Sequence, residues 1–256
     1  MFFNLSKLNI LLGGKMKIPY KRLLLIMSIW TVVFITGCVD VSVQPIPNSV
    51  NYSSQIKVVN LVSGAGTATL TLNGQSLGSV DFGSEVPGPQ LTFLTIPAGS
   101  KTLSASFTSA ASKDFQFAAT TDYKIRIFLV GTAASNDLVT HTQRYIWQTK
   151  DSDNGKALFP PDTGQVTFFN GSPDAVLKSV TINNATDTTT ITFDSPLEMG
   201  DGAPYIMLKS GSYSFNVLYN DSLHTTFDYT LGAKDRYTAV IYDAASSIKN
   251  TVFVDD

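Results

Sequence analysis

The chain has 256 residues, 43% of them hydrophobic, 11% aromatic and only 15% charged, with 18 basic residues against 20 acidic ones and a single cysteine. So lysine-poor a composition excludes the attraction to phosphate backbones on which nucleic-acid binding depends, and one cysteine excludes an intrachain disulfide or a multi-thiolate metal site. Thr, Ser, Val, Phe and Tyr dominate, helical periods are scarce and turn residues recur about every ten positions, the pattern of an all-β sandwich or barrel.

In chain order, Lys15, Lys17, Lys21 and Arg22 come first, then the apolar run Leu23 to Phe34, then Ile35, Thr36, Gly37 and Cys38. This is the layout of a secretory signal. Twelve residues at ~1.5 Å rise span roughly 18 Å, short of the ~30 Å hydrocarbon core a spanning helix must cross. Ile35-Thr36-Gly37-Cys38 resembles the lipobox of bacterial lipoprotein signal peptides. That resemblance implies loss of residues 1–37, lipid on the Cys38 sulfur and a membrane partner held through that lipid. Met16 is the expected start, because Gly13-Gly14-Lys15 reads as a translated ribosome-binding sequence. Val39 stands where an aspartate would signal inner-membrane retention, so the expected location is the cell envelope at the outer membrane. Cleavage removes five of the 18 basic residues and none of the 20 acidic ones, leaving 13 against 20 and a net charge of −7.

Residues 38–54 read as a lipidated spacer, 55–150 as a first sandwich, 151–163 as a polar, turn-rich linker and 164–256 as a second sandwich. The division follows from an internal repeat. Gln55-Ile56-Lys57-Val58-Val59-Asn60 matches Gln165-Val166-Thr167-Phe168-Phe169-Asn170, and Thr69 to Gly74 matches Ser179 to Asn184 in the same register. Ile96 to Ser100 then answers Leu208 to Ser212, Phe115-Gln116-Phe117 answers Phe227-Asp228-Tyr229, and Asp122 before a strand answers Asp235. Ordered matches of alternating apolar residues and turns mean one fold used twice, each copy long enough to bury its own core. Strands in the second copy are expected over Val166–Asn170, Val180–Asn183, Thr190–Phe193, Tyr205–Leu208, Tyr213–Tyr219, Thr225–Leu231, Tyr237–Tyr242 and Asn250–Val254. The alternation of Tyr213, Phe215, Val217 and Tyr219 marks an inward face.

Val166 to Ala175, with its Ser172-Pro173-Asp174-Ala175 ending, together with Asn183-Asn184, Gly211-Ser212-Tyr213 and Lys234-Asp235-Arg236-Tyr237-Thr238, resembles domain-of-unknown-function family 4397. The first copy keeps Asn73-Gly74, Pro97-Ala98-Gly99 and Asp122-Tyr123 but has Ser63-Gly64-Ala65-Gly66 in place of the Pro-Asp-Ala turn. The resemblance implies tandem immunoglobulin-like or transthyretin-like sandwiches on secreted or surface-anchored proteins, and it carries no activity.

No catalytic or metal constellation and no cofactor motif is legible. His141 and His224 stand alone, without ligands at zinc or triad spacing. Asp151-Ser152-Asp153-Asn154-Gly155 misplaces the glycine and the final glutamate of a calcium loop. Asp122, Asp174, Glu85, Glu198 and Asp235 are scattered on expected turns, not set as a pair. Tyr145 and Trp147 share a strand face with His141, Gln143 and Val139; they are candidates for a ligand platform, although core packing is the better reading of that face. Asp187-Thr188-Thr189 and Asp221-Ser222-Leu223 resemble short O-glycosylation acceptors, with Thr188 and Ser222 the acceptor residues.

The expectation is therefore a monomeric, non-catalytic envelope lipoprotein, a binding or adhesion module that offers loops to a glycan or envelope protein. The alternative is a fimbrillin-like structural subunit in which a strand such as Asn250–Val254 is exchanged during assembly. An envelope hydrolase ranks third.

Overall fold

The computed structural model describes residues 52–88, 92–134, 139–146 and 160–255, the stretch 139–146 by its backbone. Cys38 with Ile35, Thr36 and Gly37, the spacer through residue 51, Trp147 and the Asp151 loop lie outside the described residues. The protein is all-β. The first copy comprises β1 (Ser53–Ser63), β2 (Ala68–Leu72), β3 (Gln75–Val80), β4 (Glu85–Val86), β5 (Leu94–Pro97), β6 (Gly99–Phe107), β7 (Lys113–Ala119), β8 (Tyr123–Thr132) and β9 (Val139–Ile146). The second comprises β10 (Thr163–Gly171), β11 (Leu177–Asn183), β12 (Thr188–Leu197), β13 (Ile206–Lys209), β14 (Gly211–Tyr219), β15 (Leu223–Leu231), β16 (Arg236–Tyr242) and β17 (Lys249–Val254). All eight strands expected in the second copy are present; seven are longer than expected, and the one expected over Tyr205–Leu208 runs one residue later, Ile206–Lys209.

Each copy has two sheets with the same strand order. In the first, β4 and β5 lie along one side of β1, β8 pairs in parallel on the other and β9 follows, while β3-β2-β6-β7 forms the facing sheet. In the second, β13-β10-β16-β17 again has its parallel pair, β10 with β16, and faces β12-β11-β14-β15. Ile56, Leu70, Leu103, Ile125 and Ile127 fill the first sandwich, and Phe168, Val180, Phe215, Val217 and Ala239 fill the second. A third apolar layer joins the copies: Val59, Leu61, Phe128 and Val130 meet Phe169, Val240, Tyr242 and Phe253. Four sheets are thus stacked, and the two inner ones are covered on both faces. That is why β1 and β8 are buried almost throughout and read as near-continuous apolar runs.

The repeat's matched residues serve the same local ends. Asn60 donates from Nδ2 to the carbonyls of Gly66 and Val80, and its Oδ1 accepts from the Val62 N–H; Asn170 donates to Ala175 and Leu197 and accepts from Ser172. Asn73 and Gly74, at φ 47° and 80°, form the two-residue turn joining β2 to β3, for which Asn-Gly is the favoured pair.

One sequence match is displaced. Gln55 lies opposite Lys124 and Gln165 opposite Arg236, so the counterpart of Asp122 is Lys234, not Asp235. Both have φ 62°, and their N–H groups donate to the equivalent carbonyls of Ser53 and Thr163. The extra residue before Tyr237 moved the matched aspartate off this left-handed position.

Candidate functional site

At one end the seam between the copies is ionic. Lys57 and Arg126 project from the inner face of β1 and β8, where alternation places them beside Val59 and Phe128. Lys57 Nζ lies 2.6 Å from Glu85 Oε1 and donates to the Gly88 carbonyl at 3.0 Å. Arg126 Nε donates to Glu85 Oε2 at 3.2 Å, Nη1 pairs with Asp255, and Nη2 donates to the Val254 carbonyl at 3.0 Å. Asp255 Oδ2 accepts from Tyr205 at 2.8 Å and from Thr238 at 2.7 Å. Phe93 covers the cations at 5.2 Å from Lys57 and 5.7 Å from Arg126, and Phe253 lies 5.2 Å from the guanidinium. Burial lowers the pKa of Lys57 from its ordinary value, and the hydrogen bond to Glu85 opposes that shift.

The middle of the seam is apolar, with Phe128 and Phe169 stacked at 4.1 Å and 18°. Its other end is closed by the Ser63 hydroxyl, which donates to Asp243 at 2.6 Å, with Lys249 3.0 Å away. Burial pushes the Asp243 carboxyl up, but Ser63, Lys249 and the Ala244 N–H together bring it below its usual range. Gly171 and Gly83 permit the close approach. A Cβ on Gly171 would lie 2.7 Å from Leu61 Cδ1, and one on Gly83 2.4 Å from the Tyr242 hydroxyl.

The outward face of the second copy is different. Along β11, β14 and β15 it carries short polar side chains, and near the β11–β12 turn it sinks into an open groove of about 640 Å³ lined by Asn183, Asn184, Ser212, Ser214, Asp228 and Thr230. Asn183 is the direct cross-strand neighbour of Ser214, and Ser214 of Asp228, so amide, hydroxyl and carboxylate stand in one row at strand spacings of ~4.8 Å. Beside that row Ser212 and Thr230 hydrogen bond at 2.9 Å. The groove's wall is a four-residue turn. Asn184 Oδ1 accepts from the Thr186 N–H and hydroxyl and from the Asp187 N–H, which holds the turn upright where the first copy has the flat Asn73-Gly74 pair.

The residues singled out in the sequence are dispersed. Thr188, at the start of β12, and Ser222, between β14 and β15, are both exposed. Tyr145 and His141 belong to β9, paired with Lys124 and Phe128. His224 is exposed, with Nδ1 2.7 Å from Asn216 Oδ1. Asp174 accepts from the Ala245 N–H at 2.6 Å and so staples a loop. Glu85 was expected on a turn; it lies in β4, buried between Lys57 and Arg126. That cluster was missed because its members are far apart in sequence, although a lysine and an arginine inside doubly apolar runs were a visible signal. Among the described residues no group of three or more His, Cys, Asp or Glu side chains is set to hold a metal ion, and no helix is long and apolar enough to cross a membrane.

No family model and no curated protein matches the chain. Among solved structures, a "putative cell adhesion protein" from Bacteroides fragilis is 11% identical, covering 79% of this chain and 97% of that one with a TM-score of 0.26. Proteins described in the same words from Bacteroides ovatus, at 11% identity, 79% and 98% coverage and a TM-score of 0.25, and from Bacteroides uniformis, at 10%, 80%, 98% and 0.27, are similar to the same extent.

Proposed function

We propose that the protein is a non-catalytic lipoprotein of the cell envelope, anchored through Cys38 at the outer membrane, that presents a rigid pair of sandwiches to a glycan or an envelope protein. The observation that carries this reading is the division of polar chemistry. The buried charges Lys57, Glu85, Arg126 and Asp255 neutralise one another and join the copies, while the outward sheet of the second copy carries short polar groups at a groove. Buried ion pairs of this kind serve position, whereas groups on an exposed rigid surface serve recognition.

Exchange of β17 during assembly, as a fimbrillin-like subunit would require, must break the Arg126–Asp255 pair and withdraw Phe253 from the seam. That cost favours a monomer.

Two measurements test the reading together. Growth with an alkyne-tagged fatty acid should label the protein in the membrane fraction, and Cys38→Ser should abolish the label; equal labelling of both would overturn the anchor. The full chain immobilised on beads should retain a glycan or an envelope protein, and retention of neither, alongside turnover of an envelope substrate, would overturn the binding role.

A further inference from the structure

We infer that the groove over β11, β14 and β15 is a subsite for a neutral glycan, with Asn183, Ser214 and Asp228 as its hydrogen-bonding row; this deepens the proposed function and rests on it. The three side chains are contiguous across three paired strands, Asn183 beside Ser214 and Ser214 beside Asp228. Among the described residues none of the three has a side-chain hydrogen bond, whereas the flanking hydroxyls are taken up by each other, Thr181 with Thr190 at 3.0 Å and Ser212 with Thr230 at 2.9 Å. The row therefore holds unspent capacity: an amide that donates and accepts, a hydroxyl that does both, and a carboxylate that only accepts.

That combination matches a sugar. Adjacent hydroxyls of a pyranose can donate together to one carboxylate, a charge-assisted pair, while their neighbours exchange bonds with amide and hydroxyl groups. Two strand spacings, ~9.6 Å in all, carry the row past one ring to the next.

Other occupants fit less well. An anion would meet Asp228 on a chain whose acidic residues outnumber its basic ones. A cation would find one carboxylate, and a protein would find none of the aromatic or arginine anchors that make interfaces tight. The equivalent face of the first copy offers Gln116 where the second has Asp228, beneath the flat Asn73-Gly74 turn.

The test uses the full chain on a printed array of neutral and sialylated hexose oligosaccharides, followed by calorimetry with whichever neutral oligosaccharide binds. Neutral glycans should bind and their sialylated forms should bind less. Asp228→Ala and Asn183→Ala should each weaken binding by roughly tenfold or more, the effect of one lost charge-assisted or paired bond, while Gln116→Ala should leave it unchanged. Both substituted positions are surface ones, and circular dichroism melts matching the wild type would show that the fold is kept. Unchanged binding by both groove variants would overturn the assignment and leave the proposed function standing. Retention of an envelope protein with no oligosaccharide would do the same, and retention of neither would overturn both.

Discussion

The two copies present the same face to the seam with opposite chemistry. Lys57, Arg126 and Glu85 in the first correspond to Thr167, Thr238 and Gly202 in the second, as the shared register of β1 with β8 and β10 with β16 shows. Size is reversed as well: Leu61 answers Gly171, Val59 answers Phe169, Phe128 answers Val240, and Val130 answers Tyr242. At one point a large residue meets a small one, Leu61 lying directly over Gly171, while Phe128 stacks on Phe169. Two first copies set face to face would bury Lys57 and Arg126 against their own kind and collide at Leu61. The duplication has diverged into a lock that closes on one pair of unlike copies.

The ionic end offers the sharpest way to break this comparison. Arg126→Ala leaves Glu85 short of a partner and Asp255 buried without its cation, and it should cost about 3–5 kcal/mol in urea unfolding. Thr238→Ala at the equivalent position removes one hydroxyl donor to Asp255 and should cost much less. Equal losses would show that the seam does not depend on the asymmetry.

Asn60→Ala and Asn170→Ala test where the copies remain alike. Each strips two carbonyls of a donor, all in buried bonds except that of Gly66, so each should cost about 1–3 kcal/mol, with Asn170→Ala the same or slightly larger. A large difference in thermal melts would mean that the copies do not share this joint.

Gly171→Ala should cost about 1–3 kcal/mol through overpacking against Leu61, and Leu61→Ala in the same chain should recover part of that loss. Additive losses in a double-mutant cycle would refute the big-to-small fit across the seam.

The smallest effect at neutral pH belongs to Tyr237. Burial above all, with the nearby Asp235 adding to it, raises its hydroxyl from 10.0 to about 12. Because the folded value is the higher one, this stabilisation is complete below pH 10 and is lost as pH rises through about 12. Tyr237→Phe should flatten the alkaline decline in stability, which guanidinium unfolding at stepped pH would measure.

Strands and turns were legible because one copy annotates the other. The Asn73-Gly74 turn, the inward tyrosines and phenylalanines of β14, and Asn60 with Asn170 all stood at matched positions, and local chemistry alone decides their conformations. The seam was not legible in the same way. Glu85 comes from a two-residue strand that alternation is too short to reveal, and its partners lie 28 and 41 residues away. Lys57 and Arg126 inside runs such as Ile56 to Leu61 and Ile125 to Val130 were the available sign, since a strand apolar on both faces with one cation in it must pair that cation. The groove depended on a turn length: four residues from Asn184 to Asp187 build a wall that the alignment of Asn73-Gly74 with Asn183-Asn184 concealed.

The Arg126–Asp255 pair closes a loop of 129 positions. Translation runs from the amino end, so both sandwich cores can condense as their strands emerge, but the guanidinium must wait in water until that much more chain has been made. Joining the copies is thus a late, non-local event, slow by its loop-closure entropy. Until then Leu61, Phe128 and Phe169 stay exposed on an unfinished surface, the state in which the chain is most open to a chaperone and most prone to stick to its neighbours.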